Sequence, residues 1–293
     1  MIRPRTLWQR FRQHRAAVAG LLLLGLVAAA CYSSLPWTIS GMRATDLEAS
    51  RLPPSGAHPL GTDELGRSIL ARTLYGGAIS LTLGLLAAGV AVGIGSVYGA
   101  VSGYVGGATD ALLMRVLDVL YALPSTLLVM LLSVSVGAAL EATRLGAEWS
   151  RTLVLAAAIG SVSWLTVARV VRGQVLSLRE QPFVEAARAL GLPTWRILLR
   201  HLLPNLGGHI CVFATLTVPQ AILQESFLSF LGVGVQAPQA TWGSLAADGI
   251  RLLNPVQTSW WMLAPPCVLL STTLLALNFV GDGLRDALDV RAR

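Results

Sequence analysis

Arg179-Glu180-Gln181-Pro182-Phe183-Val184-Glu185-Ala186-Ala187-Arg188-Ala189-Leu190-Gly191-Leu192-Pro193-Thr194-Trp195-Arg196-Ile197-Leu198-Leu199-Arg200-His201-Leu202-Leu203-Pro204-Asn205 is a charged interruption between two apolar runs. Its pattern predicts two short helices joined by a hard turn. Pro182 suits the first helical position, where its missing N–H would be unpaired anyway. Phe183, Ala186, Ala187 and Leu190 then recur at helical spacing on one face, and Glu185 and Arg188, three apart, can pair on the other. Gly191 followed by Pro193 stops the first helix, because glycine tolerates the left-handed conformation that closes a helix and proline cannot continue one. Thr194 can cap a second helix, which the pattern ends before Pro204. Two adjacent alanines and a glycine on a short exposed helix let another protein's surface approach the backbone closely, as in a helix seated in a partner's groove. An ordinary amphipathic loop between spans has the same spacing.

Working outward, 54% of the 293 residues are apolar and 13% charged, with a mean hydropathy of +0.64. Soluble domains carry about a quarter charged residues. The expected fold class is therefore an all-α integral membrane protein. Six runs are long and poor enough in charge to span: 16–37, 78–102, 119–140, 152–168, 206–224 and 260–280. They divide the chain into a basic N-terminal segment 1–15, a first transmembrane helix 16–37, an external segment 38–77, a core with five further spans over 78–281 that holds the stretch 182–203, and a tail 282–293.

Arginine sets the orientation. With six spans, the segments on the side of the N-terminus carry fifteen arginines and the opposite segments seven, which places both termini and the 179–205 loop in the cytoplasm. Membrane orientation thus accounts for the net charge of +7, and no basic stripe with interleaved aromatics calls for nucleic acid. All 22 basic residues are arginine; without lysine the chain has no P-loop, so ATP-driven work would need another chain. Stretches outside the spans reach only about 40 residues, too short for a domain with its own core. Cys31, Cys211 and Cys267 all lie in apolar runs without metal spacing and read as packing residues. The sequence before Cys31 faintly resembles a lipoprotein cleavage site, but the apolar run continues to Trp37 and is read as a retained span.

The spacing Glu185-Ala186-Ala187, then Gly191, with His201-Leu202-Leu203-Pro204-Asn205 beyond it, resembles the EAA signature of ABC importer permeases. His201 in place of the more usual isoleucine resembles the peptide/nickel branch. Three further blocks agree. Residues 58–68, from His58-Pro59-Leu60-Gly61-Thr62-Asp63 to Ser68, are similar to that branch's HPLGTDxLGRD, with Ser68 for its last Asp. Residues 225–243, from Glu225 to Trp242-Gly243, resemble E-x-LSFLGLGVxxPxxxWG, and residues 278–289 resemble FNxxGDxLRDxLDP.

The resemblance implies a six-span type I importer permease fold with a cytoplasmic coupling helix at 182–203, in which Glu185, Ala186, Ala187, Arg188, Gly191, His201 and Pro204 couple to the ATPase. It implies the bacterial inner membrane and several partners: a homologous permease completing the pathway, two ATPase subunits that hold ATP and magnesium, an extracytoplasmic substrate-binding protein, and membrane lipid. The chain itself would bind no cofactor and catalyse nothing. Di- or oligopeptides are the expected cargo. Nickel chelates share these motifs, although the spans carry no His/Met cluster for direct metal handling.

Other residues carry expectations of their own. Glu225, with Gln224 beside it, places a charge near the end of a span, where an acid either serves the pathway or makes an interhelical bond to Gln220, Gln224 or a partner subunit. Arg115 and Asp118 can neutralise each other as a structural pair, or contact substrate. Asp63 can cap a helix, with Arg67 pairing to it or to Glu64. Gly89 and Gly93 form a GxxxG pair suited to close helix packing, and Pro124 should kink the third span. The N-terminal arginines with Trp8 and Phe11 between them fit either an interfacial helix or a charged tail. A secondary transporter would need mid-membrane acids and inverted repeats. A membrane enzyme would need more than the scattered His14, His58, His201 and His209.

Overall fold

The computed structural model describes residues 7–141, 147–252 and 259–288. Its α-helices, in chain order, are α1 (Leu7–Phe11), α2 (Arg15–Ser33), α3 (Leu35–Gly41), α4 (Ile69–Val105), α5 (Gly107–Tyr121), α6 (Ser125–Glu141), α7 (Ala147–Leu178), α8 (Pro182–Ala189), α9 (Thr194–Ile197), α10 (Leu203–Phe230), α11 (Trp242–Arg251) and α12 (Trp260–Leu288). No strand occurs among the described residues. Five helices are long and apolar enough to cross a membrane, and the bent pair α5–α6 makes a sixth crossing if taken as one span.

The helices overrun the apolar runs that announced them. The expected spans 78–102 and 260–280 are the middle parts of α4 and α12, because hydropathy marks the length that lipid covers and not the length over which backbone hydrogen bonding continues. The first nine residues of α4 fall in the expected external segment, and the expected tail begins inside α12. The first run is interrupted: α2 ends at Ser33, and α3 starts afresh with Pro36 in its first turn.

α4 organises the bundle. Its 37 residues span about 55 Å at ~1.5 Å each, packing most extensively along α7 and also against α10, α2, α3, α11 and α12. Gly95, Gly99 and Gly103, four apart, permit the α4–α7 contact: a Cβ at Gly99 would stand 2.3 Å from the Ala168 carbonyl oxygen, and one at Gly103 2.8 Å from that of Arg172. Gly160 of α7 reciprocates, its Cβ position 2.7 Å from the Ala87 carbonyl oxygen. Gly89 and Gly93, the expected pair, instead face outward with open space around them. GxxxG spacing permits close approach, but the helix face on which it falls decides whether any neighbour uses it.

Pro124 does more than kink the third span. α5 and α6 meet at 87°, since proline lacks the N–H to continue the ladder and drives Leu123 out of helical angles. The end of α5 is pinned to α7: the Tyr121 hydroxyl lies 2.8 Å from that of Thr166, and the Arg169 guanidinium sits 4.3 Å above the Tyr121 ring. At the N-terminus Phe11 is buried against Ala17 and Ala287, so α1 packs on the end of α12. Arg3 and Arg5 lie outside the described residues.

Candidate functional site

α8 starts at Pro182 and buries only Val184 and Ala187, which enter a cluster with Tyr104 of α4, Val171 and Val175 of α7, and Leu202 and Leu206 further along the chain. This corrects the expected face. Val184 and Ala187, three apart, turn inward, so Phe183, Ala186 and Leu190 form a separate outward stripe, with Leu190 80% exposed. Trp195 and Leu199, after the turn, are exposed as well.

The expected Glu185–Arg188 pair does not form. Arg188 donates from Nε to the Tyr104 hydroxyl at 3.2 Å and lies 4.9 Å from the ring centre. An aromatic face with a hydroxyl acceptor offers a guanidinium two interactions at once, where an exposed i,i+3 acid gives only a screened one. Glu185 stays exposed at a groove of about 590 Å³ lined by Tyr104, Arg179, Glu180, Glu185 and Arg188.

Gly191 closes α8 as its sequence position predicts. Its φ is +71°, its N–H donates to the Arg188 carbonyl at 2.9 Å, and the Leu192 N–H reaches back to the Ala187 carbonyl at 3.2 Å. These two bonds make a Schellman motif, and no atom outside the turn lies within 4 Å of where a Cβ would sit, so conformation and not crowding selects glycine.

The second helix differs from expectation at both ends. Pro193 occupies the N-cap position, and Thr194, the first helical residue, makes no capping bond. Nor does the helix stop before Pro204: residues Thr194–Phe230 form one continuous rod. The proline is absorbed by a widened π-helical turn over Leu198–Leu202, in which the Leu203 N–H bonds the Leu198 carbonyl five residues back. The Asn205 amide then donates to the His201 carbonyl at 2.6 Å. His201 and Pro204 thus sit where the loop becomes a span.

Behind α8, the corner between α4 and α5 is held by charge. Asp110 accepts from Nε and a terminal nitrogen of Arg172 and from the Ser102 hydroxyl, and Arg179 donates to the Gly103 carbonyl at 3.0 Å. The sequence reading missed Tyr104, Asp110 and Arg172. Its only available signal was that two of them carry charge at the flank of an apolar run.

The candidate pathway residues do not converge. Asp118 pairs with Arg169 at 2.8 Å across to α7, not with Arg115, which is exposed. The cation above Tyr121 is already fixed there, whereas pairing with Arg115 would immobilise a long exposed side chain. Glu225 lies at the other end of the bundle and is 0% exposed. It accepts from Ser229 at 2.6 Å and from Ser80 and Ser226 at 3.4 Å each; neither Gln220 nor Gln224 is its partner. Ser80 also accepts from the Trp242 backbone N–H at 3.2 Å, so this carboxyl joins α4, α10 and the start of α11.

The block containing Asp63 also folds around one carboxylate. Asp63, 2% exposed, accepts from Arg67 Nε and a terminal nitrogen of Arg72 at 2.7 Å each, and from the backbone N–H groups of Leu65 and Arg67 at 2.9 and 2.8 Å. Arg72 reaches on to Asp248 of α11 at 3.4 Å. Glu64 pairs with Arg51 instead, and Ser68, not Asp63, caps α4 by accepting from the Ala71 N–H.

Known proteins share both the pattern and its extent. The family described as binding-protein-dependent transport system inner membrane component matches residues 95–293, and that described as N-terminal TM domain of oligopeptide transport permease C matches residues 5–54. The oligopeptide transport system permease protein OppC of Haemophilus influenzae is 43% identical over 296 residues, covering 99% of this chain and 90% of that protein. The dipeptide transport system permease protein DppC of Bacillus subtilis is 44% identical over 287 residues, covering 98% and 85%. OppC of Escherichia coli K12 is 42% identical over 306 residues, covering 100% and 94%. The chain belongs to the binding-protein-dependent transport system inner membrane components: it is a membrane permease subunit of the ABC importer class and not itself an enzyme.

Proposed function

We propose that this permease imports di- or oligopeptides across a bacterial inner membrane, with both termini and α8 in the cytoplasm. A homologous permease completes the pathway, and an extracytoplasmic binding protein delivers cargo at the end of the bundle opposite α8. Two ATPase subunits, which hold ATP and magnesium, dock on α8. Glu185, Ala186 and Arg188 lie in that contact, Ala187 and Gly191 fix its angle, and His201 and Pro204 join it to α10. The fifteen-to-seven arginine asymmetry supports the orientation. The oligopeptide and dipeptide permeases to which the chain is similar support the cargo.

One observation carries the coupling role. α8 buries only two side chains, Val184 and Ala187, and turns an apolar stripe of Phe183, Ala186 and Leu190 outward beside the polar groove at Glu185. Exposed apolar surface rimmed by charge marks a protein contact.

Co-expression with the partner subunits followed by detergent purification tests this reading. The wild-type chain should co-elute with an ATPase pair, and peptide-loaded binding protein should stimulate hydrolysis. Leu190→Asp should reach the membrane in normal amount yet retain less than about a tenth of the ATPase, since a buried carboxylate without a partner costs more than the 1.4 kcal/mol that a tenfold change requires. Full ATPase retention by Leu190→Asp would remove α8 from the interface.

A further inference from the structure

At the end of the bundle opposite α8, a half-open cavity of about 450 Å³ lies between the Asp63 block, the 232–239 connection and α11. Its volume is within the range of about 300–1,000 Å³ typical of small-molecule sites. Its lining is more polar than that of an ordinary packing defect, and the polar groups fall into two classes.

One class is already committed. Asp63 is saturated by four donors, and Arg72 is committed to Asp63 and Asp248. The other class is free. Arg67 uses only its Nε on Asp63, so its two terminal nitrogens have no hydrogen-bond partner among the described residues. Gln239 belongs to the lining too, but its oxygen accepts from Thr152 at 2.9 Å and its Nε2 is fully buried and does not face the cavity. Arg251 stands exposed at the rim. Two cationic groups with open donors, Arg67 and Arg251, therefore line one cavity.

Glu64, also in the lining, pairs with Arg51; the acceptor that lies beside Arg251 is Asp248. It is 44% exposed, and only one of its oxygens meets Arg72, at a long 3.4 Å. It precedes Arg251 by three residues on α11, so the two lie on neighbouring parts of one helix face. The cavity thus offers donors for an anion and, beside them, a carboxylate for a cation.

We propose that this cavity binds the zwitterionic main chain of a short peptide, with Arg67 and Arg251 holding its terminal carboxylate and Asp248 its terminal ammonium. The proposal rests on the peptide-import reading and adds to it a subsite on this subunit. Arg67 presents a planar two-donor fork that a carboxylate matches and a lysine cannot reproduce. Recognition of the two termini alone would accept peptides of many sequences.

The test uses the assembled importer in lipid nanodiscs, without binding protein, and the probes are trialanine, its C-terminal amide and its N-acetyl derivative. Trialanine should bind saturably, and each capped form about tenfold or more weakly, the loss expected for one charge-assisted contact. Arg67→Lys and Arg251→Gln should each weaken trialanine while leaving the amide unchanged. Because Arg251 is exposed and makes no hydrogen bond or ion pair among the described residues, its variant remains informative even if Arg67→Lys disturbs the Asp63 block. Trialanine binding that is absent, or indifferent to both caps, while peptide uptake with binding protein persists would overturn the subsite and leave the import reading standing. If the arginine variants abolish docking of the binding protein but not trialanine binding, the carboxylate recognised is the binding protein's, and the proposal fails. An importer that carries another cargo and no peptide would end the import reading itself.

Discussion

At the Ser68 end of α4 the charged side chains are mostly bonded to one another, whereas at the Tyr104 end they are shared between elements and partly open. Asp63 has four donors inside this chain, and Glu225 has three hydroxyls. At the other end Arg188 rests on Tyr104, Glu185 has no partner among the described residues, and Leu190 faces outward. A closed polar network fixes geometry because every broken bond leaves a buried group unpaired. An open one leaves binding energy available to a partner. The first end is thus built as a rigid frame around a cavity, and the second as a handle.

The comparison predicts that frame residues act on stability and handle residues on coupling. The largest effect should come from Asp63→Ala, which strands Arg72 and Arg67 beside each other. Removing one partner of a buried ion pair costs about 3–5 kcal/mol, so thermal unfolding of the purified complex should shift strongly downward. An unchanged transition would mean that this end is not the rigid one.

Glu225→Leu comes next. It leaves the hydroxyls of Ser80 and Ser229 without their acceptor, at about 1–3 kcal/mol. Glu225→Gln, which keeps an acceptor oxygen, should cost less. Equal thermal shifts for the two would show that the carboxyl's shape, and not its hydrogen bonds, holds α11 in place.

At the handle, Gly191→Val should cost about 1–2 kcal/mol through its positive φ alone, since nothing crowds the position. Insertion should be normal, but substrate-stimulated ATP hydrolysis and uptake should fall because α8 can relieve the strain by reorienting. Gly191→Asn should be milder. Normal coupling in both would separate the turn from the docking geometry.

The smallest effect expected is that of Tyr104→Phe. It deletes the hydrogen bond to Arg188, about 0.5–1.5 kcal/mol, and keeps the ring beneath the guanidinium. Uptake per ATP hydrolysed should drop slightly, and thermal unfolding should shift far less than in Asp63→Ala. A loss of stability comparable to that of Asp63→Ala would erase the distinction between the two ends.

What the sequence determined by itself is what short-range physics writes into it. Apolar runs located the spans, Pro124 the break, and the order Gly191-Leu192-Pro193 a left-handed helix end, because hydropathy and backbone angles depend on a residue and its near neighbours. Tertiary structure decided which partner each of several charges would take. Arg188 and Tyr104 are 84 residues apart and Asp118 and Arg169 51, and in both cases the nearer candidate lost. It also decided that Gly95, Gly99 and Gly103 would meet α7 while Gly89 and Gly93 would not, and that Val184 and Ala187 would turn inward and Leu190 outward. A local pattern restricts a helix to a few usable faces and a charge to a few reachable partners. The choice among them is made by close packing of elements distant in the chain, where each contact must also accommodate all the others.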